Sequence, residues 1–443
     1  MKRVLFGLIV LIVASAAAPA QERKTREELV REDRTTIESS DFWIYNDVEA
    51  GFREAKRSGK PLLVTFRCVP CEHCAQLDEE VAERDPLIGS LLDEFVCVRV
   101  VHANGMDLSL FQFDYDQSWA AFLMNGDRAI YGRYGTRSHP RESHNDVSLE
   151  GFAKALQAAL ELHKQYPQNK AALAGKHGPK AEYAAPEEMP SLKGKYGSEL
   201  DYEGKVVQSC IHCHQVLQAQ RVHYRLADEP VPAKVLFPYP HPKSLGLIMD
   251  PQEKATVKEV VEGSPAAEDG FRAGDELLTL SGQPLLSIAD IQWVLHNTGE
   301  TARLTAEVRR NGETIELPIT LEEGWRQRGD ISWRASSWEL RRIATGGMKL
   351  NDLSEAERRR AGLAENDLAL RAEHVGQYGE HAAAKRAGFQ KGDVLTAIDG
   401  QSGRMSESDL FAYVLNRKET GERIAVTVLR DGRRIELTLP VQK

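Results

Sequence analysis

The chain has 443 residues, 42% of them hydrophobic, which is enough for about three domains of ordinary size. Its net charge of -9 argues against nucleic acid and anionic membrane surfaces as main partners, because both are bound by basic patches. The first twenty residues indicate export: Lys2 and Arg3 precede an apolar run, and Ala18-Pro19-Ala20 resembles a cleavage site. The run is shorter than the roughly 20 residues that a membrane span needs. We therefore predict a signal peptide over residues 1–20, a periplasmic or secreted protein, and no integral membrane segment after cleavage.

Export places the six cysteines in an oxidising compartment, where disulfides persist. Five of them fall in two tight clusters and the sixth stands alone: Cys68, Cys71 and Cys74; Cys210 and Cys213; and Cys97. Cysteines that staple a fold are usually scattered, so the clusters indicate chemistry.

A charged leader over residues 21–40 precedes a first domain over residues 41–165. Its pattern predicts, in order, a helix over 47–58, a buried strand over 62–66, a helix after Cys74, a strand over 95–101, a hairpin around Asn125-Gly126-Asp127 and a helix over 149–164. The first cysteine cluster lies between the buried strand and the next helix. Two cysteines three apart at the first turn of a helix can close a disulfide, and the helix N-terminus favours a thiolate. Three cysteines form two overlapping C-x-x-C pairs, so residue spacing leaves the choice of pair open.

This order, with residues 59–66 leading into the cysteines, resembles the thioredoxin fold, in particular its exported thioredoxin-like branch. Members of that family place the first active cysteine five residues after the strand's phenylalanine, which is Phe66 here. The resemblance therefore implies that Cys71 attacks and Cys74 resolves, with Cys68 an extra thiol in the loop. His73, when protonated, would stabilise a thiolate between them.

Three positions depart from the family. Ser118 stands where the family has a proline opposite the cysteines, Thr65 replaces a buried aspartate, and Pro70 replaces a tryptophan. Because the family proline also keeps metals off the thiols, three roles stay open for the cluster: thiol redox chemistry, metal binding or transfer, and a structural disulfide. For Cys97 the predicted strand order indicates a buried thiol out of disulfide reach of the loop.

Residues 166–195 lack apolar periodicity and contain several prolines, which predicts a linker. The next segment, 196–233, holds Cys210-Ile211-His212-Cys213-His214. C-x-x-C-H is the attachment motif of c-type haem: both thiols add to vinyl groups, and His214 is placed to ligate the iron. We expect haem c there; the candidates for the sixth ligand are Met249, His241 and His223. The alternatives are a thiol pair that exchanges with Cys71 and Cys74, and a zinc-type site of Cys210 and Cys213 with one or two of His212, His214 and His223.

An internal repeat occupies the remaining chain. Residues 263–275 return as residues 381–393, and each copy continues with a β-run, a turn glycine, a helix and a hairpin. Both copies, 234–322 and 355–443, joined by a connector over 323–354, resemble PDZ domains of the periplasmic-protease type. That family binds peptides by strand addition in a groove between a strand and a helix. The first copy carries an apolar-Gly-apolar carboxylate loop and matching helix positions, namely Leu245, Gly246 and Leu247 with Ile288, Ile291 and Leu295. The second copy shows no comparable loop.

The predicted fold class is multidomain α/β plus mainly β: a thioredoxin-like α/β sandwich followed by two PDZ domains. The whole architecture looks like that of bacterial thioredoxin-like/PDZ proteins. No protease nucleophile motif appears, so we do not expect a protease. The predicted function is an exported thiol–disulfide redox protein, a possible thiol–disulfide oxidoreductase, with a haem segment able to pass electrons, a redox partner protein, and PDZ domain 1 recruiting a protein or peptide. The alternative is a non-catalytic PDZ scaffold or a metal-handling protein whose cysteines bind metal or are structural.

Overall fold

The computed structural model describes residues 24–69, 75–139 and 145–443. Its first domain contains a five-stranded sheet in the order β1-β3-β2-β4-β5. Strands β1, β3 and β2 are parallel to one another. Strand β4 is antiparallel to β2, and β5 is antiparallel to β4. The elements are α1 (Arg26–Glu38), β1 (Trp43–Tyr45), α2 (Val48–Ser58), β2 (Leu62–Arg67), α3 (Ala75–Ala82), α4 (Gly89–Leu92), β3 (Val96–Val100), β4 (Trp119–Met124), β5 (Ile130–Tyr134) and α5 (Leu149–Lys164).

Apolar clusters cover both faces of this sheet. One contains Phe66, Phe111 and Phe122, and the other contains Trp119 and Phe152. Strands buried on both faces lose the alternation of apolar and polar residues, which explains the continuous apolar runs seen in the sequence.

The charged leader is part of the fold. Helix α1 begins with a capping box in which Thr25 and Glu28 exchange hydrogen bonds, and each satisfies a backbone N–H at the helix start. Asp33 of α1 pairs with the buried Arg99 of β3 at 2.6 Å and accepts a hydrogen bond from Tyr45. These contacts hold α1 against the β1 edge of the sheet, which the sequence did not predict.

The segment expected to be a linker is also packed. It contains α6 (Lys170–Leu173) and is followed by α7 (Val206–Ser209), α8 (Cys213–Leu226) and α9 (Ala233–Leu236). Met189 and Leu192 lie in the same apolar cluster as Phe66. The absence of periodicity reflected short irregular turns rather than a free chain.

The first repeat copy contains a two-stranded sheet, β6-β7, and a four-stranded sheet in the order β11-β10-β8-β9. Its elements are β6 (Leu247–Met249), β7 (Val257–Val260), α10 (Pro265–Glu268), β8 (Glu276–Leu280), β9 (Gln283–Pro284), α11 (Ile288–His296), β10 (Ala302–Arg310) and β11 (Glu313–Leu321).

The second copy forms one sheet in the order β12-β13-β14-β15-β16. Its elements, with the helix that precedes them, are α12 (Ser337–Thr345), β12 (Met348–Asp352), α13 (Glu355–Ala361), β13 (Leu370–Val375), α14 (Ala383–Arg386), β14 (Val394–Ile398), α15 (Glu407–Arg417), β15 (Arg423–Arg430) and β16 (Arg433–Pro440). The sheet therefore begins at Met348, inside the range that we assigned to the connector.

The repeat extends to individual side chains. Arg310 pairs with the buried Asp275 at 2.7 Å and donates to the carbonyl of Gly270. In the second copy, Arg430 pairs with the buried Asp393 at 2.6 Å and donates to the carbonyl of Gly388. Across residues 24–69, 75–139 and 145–443, no helix has the length and apolar character needed to cross a membrane.

Candidate functional site

The carboxyl ends of the parallel strands form one edge of the first sheet, and Cys68 directly follows β2 at this edge. Its backbone N–H donates to the carbonyl of Ser118 at 2.9 Å, so Ser118 lies opposite the start of the cysteine loop. Cys68 is bonded in a disulfide, whereas the other cysteines that the structure describes, Cys97, Cys210 and Cys213, are free thiols. The predicted active residues Cys71, His73 and Cys74 lie outside the described residues.

Cys97 lies where the predicted strand order indicated. It is buried in β3 opposite Leu63, near the start of β2 and away from the Cys68 end. Burial raises the pKa of the Cys97 thiol far above its ordinary value. A buried neutral thiol is unreactive, so Cys97 is a packing residue.

The second cysteine cluster is folded onto the same edge of the sheet. Ala103, just after β3, donates its N–H to the carbonyl of Ile211 at 2.8 Å, and Ile211 donates its own N–H to the Asn104 side chain at 2.7 Å. Asn104 also donates to the carbonyl of Ser209 at 3.0 Å. Since Ile211 is fully buried in the cluster around Phe66, the C-x-x-C-H segment is fixed against the thioredoxin-like sheet.

The two cysteine clusters meet through a histidine. His212 Nδ1 lies 3.6 Å from the Sγ of Cys68, a contact between residues 144 positions apart in sequence. His212 occupies the N-cap of α8, and its backbone N–H donates to Gln215. Its ring stacks on His214, with centroids 5.7 Å apart and planes 6° from parallel. The sequence suggested exchange between the clusters only as an alternative, because nothing local specifies their distance.

Burial controls the ionisation of this cluster. It raises the pKa of Cys210 to about 12, with a further contribution from the neighbouring Cys213, and raises the pKa of Cys213 to about 12. Burial also lowers the pKa of His212 to about 4 and lowers the pKa of His214. At neutral pH the cluster therefore holds two uncharged thiols and two uncharged imidazoles.

A buried acidic group that sequence reasoning did not single out lies near the Cys68 strand. Asp78 of α3 pairs with Arg67 at 3.0 Å and with Arg99 at 2.7 Å, and all three side chains are buried. Thr65, which stands in place of the family's aspartate, donates instead to the carbonyl of Val98. The sequence could have indicated this buried acid through Arg67 and Arg99, which lie in otherwise apolar strands, because buried charges require partners.

A second buried network connects this edge to the rest of the chain. Asp116 accepts hydrogen bonds from the backbone and the hydroxyl of Ser336, and Arg221 of α8 donates to the same hydroxyl at 2.8 Å. Arg334 pairs with Asp114 at 2.5 Å. The loop before β4, helix α8 and the connector are thereby held together around the candidate site.

The haem prediction can be compared with this packing. The donors are chemically suitable, because both thiols are free and the buried His214 Nδ1 has no hydrogen-bond partner among the described residues. However, Cys210 is buried, and cavities of about 830, 310 and 260 Å³ are lined by neither cysteine nor by His214. The residues as packed do not fit a haem, and its attachment stays a prediction of the motif.

Within the described part of the chain, no group of three or more His, Cys, Asp or Glu side chains is arranged to hold a metal ion. A zinc-type site of Cys210 and Cys213 with His212, His214 or His223 would require these side chains to move. His223 is instead hydrogen-bonded to Tyr183 at 3.0 Å.

The proposed carboxylate loop of the first repeat copy has the backbone that its glycine requires. Gly246 has φ of 89°, and a Cβ there would lie 2.1 Å from the Ser264 hydroxyl oxygen, so no other residue fits. Leu245 and Leu247 are buried with the helix residues Ile288, Ile291 and Leu295 in one apolar cluster. The structure therefore brings all six predicted positions together, but places the five apolar side chains in a core rather than on an open surface.

Helix α11 of this copy is docked on β5 of the first domain. Asp290 accepts hydrogen bonds from the backbone N–H of Arg133 and from Lys176, the latter at 2.7 Å with both side chains fully buried. Ser287 donates to the carbonyl of Arg133, and Trp293 donates to the carbonyl of Gly175. The first copy thus shares a polar and apolar interface with the thioredoxin-like sheet.

In the second copy the connector helix contacts both the first strand and the helix of the repeat. Helix α12 packs against both β12 and α15 and buries Leu340 and Ile343 there. Glu407 of α15 pairs with Arg341 of α12 at 2.6 Å and accepts the backbone N–H of Leu350 on β12. The connector helix therefore packs on both elements between which a PDZ domain binds a peptide.

Comparison with known families agrees with these folds. Residues 43–126 match a family model described as thioredoxin-like, and residues 243–321 and 375–441 match the PDZ domain model. The chain consists of a thioredoxin-like domain followed by two PDZ domains, as the sequence predicted.

The chain is also similar to known proteins over part of its length. It is 26% identical over 205 residues to a probable periplasmic serine endoprotease DegP-like of Pseudomonas savastanoi pv. phaseolicola, a match over 45% of this chain and 40% of the relative. It is 27% identical over 151 residues to the periplasmic pH-dependent serine endoprotease DegQ of Escherichia coli, covering 34% and 29%. The chain thus spans less than half of these relatives' length. A solved structure of the HtrA-type protease AlgW with decapeptide is 20% identical, with a TM-score of 0.21, covering 36% of this chain and 45% of that one.

Proposed function

We propose that the chain is an exported thiol–disulfide redox protein of the periplasm that recruits a protein or peptide partner through its first PDZ domain. The observation that supports it most is the Cys68 disulfide at the carboxyl edge of the thioredoxin-like sheet, where Cys68 contacts His212 of the C-x-x-C-H segment. That edge is where α/β folds place their reacting groups. The periplasmic relatives support the location, and PDZ domains commonly bind peptide termini.

The redox proposal is tested by the reduction of a model protein disulfide by the mature chain. We expect the rate to fall to that of the uncatalysed reaction in Cys71→Ser and in Cys74→Ser, since a disulfide exchange needs an attacking and a resolving thiol. Cys97→Ser is the matched control, because the Cys97 thiol is buried and far from the site. Unchanged rates in both active-pair variants, or the absence of any activity in the parent protein, would contradict the proposal and favour a structural or scaffold role.

Recruitment is tested by titrating the chain with peptides that end in a free carboxylate. We expect binding at the first PDZ domain, by strand addition to β6, to be lost when the peptide is amidated or when Gly246→Val fills the loop. Equal binding of the free and amidated peptides would contradict recognition of a C-terminus.

Haem attachment is tested separately by the pyridine haemochrome spectrum of protein made in a host with cytochrome c maturation. If a haem is attached, it would join Cys210 and Cys213 covalently, with His214 as the iron ligand, and would supply one-electron transfer. The packing described above leads us to expect no haem. Covalent haem that disappears in Cys210→Ala and Cys213→Ala would restore the electron-transfer interpretation.

A further inference from the structure

We propose that the cavity between the first domain, the first PDZ domain and the connector binds a small organic anion, in which an apolar body carries one carboxylate or phosphate group. No described cysteine lines this cavity. The inference is therefore independent of the proposed redox function.

The cavity has a volume of about 310 Å³, and three parts of the chain form its walls. Arg137 follows β5, Lys243 precedes the carboxylate loop of the first copy, and Arg326 and Trp333 belong to the connector. Small-molecule sites commonly measure about 300–1,000 Å³, so this volume suits a small ligand. The side chains of Lys243 and Arg328 are exposed, which shows that the cavity reaches the protein surface.

The cavity is lined by positive charge, although the chain carries a net charge of -9. Among the described residues that line it, five are lysine or arginine and one is an acid, namely Arg137, Lys243, Arg326, Arg328 and Arg334 against Asp330. Asp330 itself accepts hydrogen bonds from Ser332 and Ser408. A cavity with this lining attracts anions and repels cations.

Arg326 is the lining cation that most needs an anionic partner. It is only 2% exposed, and its Nη2 donates to the carbonyl oxygens of Leu295, His296 and Thr298 around the end of α11. Its Nε and Nη1 are buried and have no hydrogen-bond partner among the described residues. Burial lowers the pKa of Arg326 against a smaller opposite effect of Glu300. A bound oxyanion would supply both a counter-charge and acceptor oxygens for these nitrogens.

Arg334 provides a further donor in the connector wall. It pairs with Asp114 at 2.5 Å and donates to the carbonyl of Pro238 at 2.9 Å. Its Nε is buried and has no hydrogen-bond partner in the described part of the chain. Because the charge of Arg334 is already paired, this residue would add a hydrogen bond to the anion, whereas Arg326 would add an uncompensated charge.

The rest of the lining is largely aromatic. Phe237 and Tyr239 are buried, and Trp333 is half-buried. The guanidinium carbons of Arg137 and Arg334 each lie 5.0 Å from the centroid of the Trp333 ring, a cation–π arrangement that orders the ring. An organic anion would remove apolar surface of these rings from water, which an inorganic anion cannot do. The lining therefore favours an anion with an apolar body.

The experiment is isothermal titration calorimetry of the full mature chain with matched small probes. Phenylacetate and phenyl phosphate carry the two anionic groups, phenylacetamide is the uncharged counterpart of phenylacetate, and acetate and inorganic phosphate lack the ring. We expect at least one of the two anionic aromatic probes to bind, and the three comparison probes to bind at least about tenfold more weakly. The tighter of the two anionic aromatic probes identifies the group as a carboxylate or a phosphate.

Variants place the binding in the cavity. We expect Arg326→Met to weaken the binding of the tighter probe at least about tenfold, because a charge-assisted hydrogen bond is lost. Arg328→Met removes an exposed charge and should weaken it by up to about fivefold. Arg309→Met is the matched control, because both arginines are exposed and pair with a glutamate, Arg309 at 3.2 Å and Arg328 at 3.3 Å, but Arg309 does not line the cavity. The control should bind the probe as the parent does.

Because Arg326 also bonds to carbonyls around the end of α11, a urea unfolding curve of Arg326→Met accompanies the titration. If this variant does not fold, Trp333→Leu replaces it and should reduce the difference in affinity between the tighter probe and its ring-free counterpart. The inference is overturned if neither anionic aromatic probe binds the parent, or if any comparison probe binds as tightly as the better of them. It is also overturned if the folded cavity variants bind the probe as tightly as Arg309→Met does.

Discussion

The two PDZ domains have one fold but different neighbours. The first packs its helix α11 on strand β5 of the thioredoxin-like domain through Asp290, Lys176 and Trp293. The second packs its own connector helix α12 against β12 and α15. The two copies share a turn with equivalent hydrogen bonds, in which Arg310 binds Asp275 and Gly270, and Arg430 binds Asp393 and Gly388. The repeat therefore determines the internal architecture of each copy, whereas the surrounding chain decides which of its surfaces remain accessible.

The largest effect is expected from Asp290→Ala at the interface of the first copy. The substitution leaves the fully buried Lys176 ammonium without its partner, and breaking a buried pair in this way costs about 3–5 kcal/mol. Lys176→Met should cost less, because Asp290 keeps hydrogen bonds from the backbone N–H groups of Arg133 and Leu286. Urea unfolding measures both, and hydrogen exchange in β5 reports undocking. Equal losses in the two variants would show that the backbone bonds to Asp290 contribute little.

The next effect is expected from Leu340→Ala in α12. Leu340 is fully buried against the second copy, and removing a buried leucine side chain costs about 3 kcal/mol. Glu339→Gln on the same helix breaks only a partly exposed pair with Arg342 and should cost less than about 1 kcal/mol. The measurement is chemical denaturation followed by hydrogen exchange in β12 and α15. A similar small loss in both variants would show that α12 is not part of the second copy's core.

A smaller and equal effect is expected at the repeated turn. Arg310→Met and Arg430→Met each remove charge-assisted hydrogen bonds to a buried aspartate, worth about 2 kcal/mol. Each aspartate keeps a backbone N–H, from Arg272 and Gln390 respectively. Local stability is compared by hydrogen exchange in β10 and β15. A large difference between the copies would mean that their different surroundings affect the stability of this turn.

The last effect is absent at neutral pH and develops only in acid: a pH dependence that only the first copy should show at its helix end. Burial, with nearby Arg326, lowers the pKa of His296 to about 3, and its ring stacks on Tyr239 at 4.0 Å. In the unfolded chain His296 binds a proton near its ordinary pKa of about 6.5, whereas in the folded chain it does so only near pH 3. The free energy of unfolding is therefore at its full value above about pH 6.5. It falls as the pH drops toward 3, by at most about 1.4 kcal/mol per pH unit.

His296→Phe should remove this slope from urea unfolding curves of the chain. The corresponding helix of the second copy ends at the exposed Arg417, which provides no such group. An unchanged slope in the variant would assign the acid sensitivity to other buried groups.

Local rules explain what could be predicted at the candidate site. The Asn125-Gly126-Asp127 turn forms the predicted hairpin, and Gly246 takes the left-handed backbone that its loop requires. The burial of Cys97 followed from strand order alone. In each case a few neighbouring residues specify the conformation through φ preferences, side-chain caps or strand pairing.

Other features depended on contacts that no local pattern records. We placed the charged leader ahead of the first domain, yet Asp33 on α1 pairs with Arg99 in the sheet. Lys176, in the supposed linker, forms a buried pair with Asp290, which lies more than a hundred residues away in sequence. Both segments are polar in sequence, and this composition does not reveal that some of their charged side chains pair with partners in distant parts of the chain.

By itself, the sequence determined the number and type of domains, the repeat and the candidate thiols, because periodicity, turn residues and cysteine spacing act within short segments. Only the tertiary structure decided that Cys68 meets His212, that α11 docks on β5 and that α12 packs on the second PDZ domain. The physical reason is that these contacts join surfaces far apart in sequence, and their geometry follows from how the whole chain buries its apolar area and pairs its buried charges.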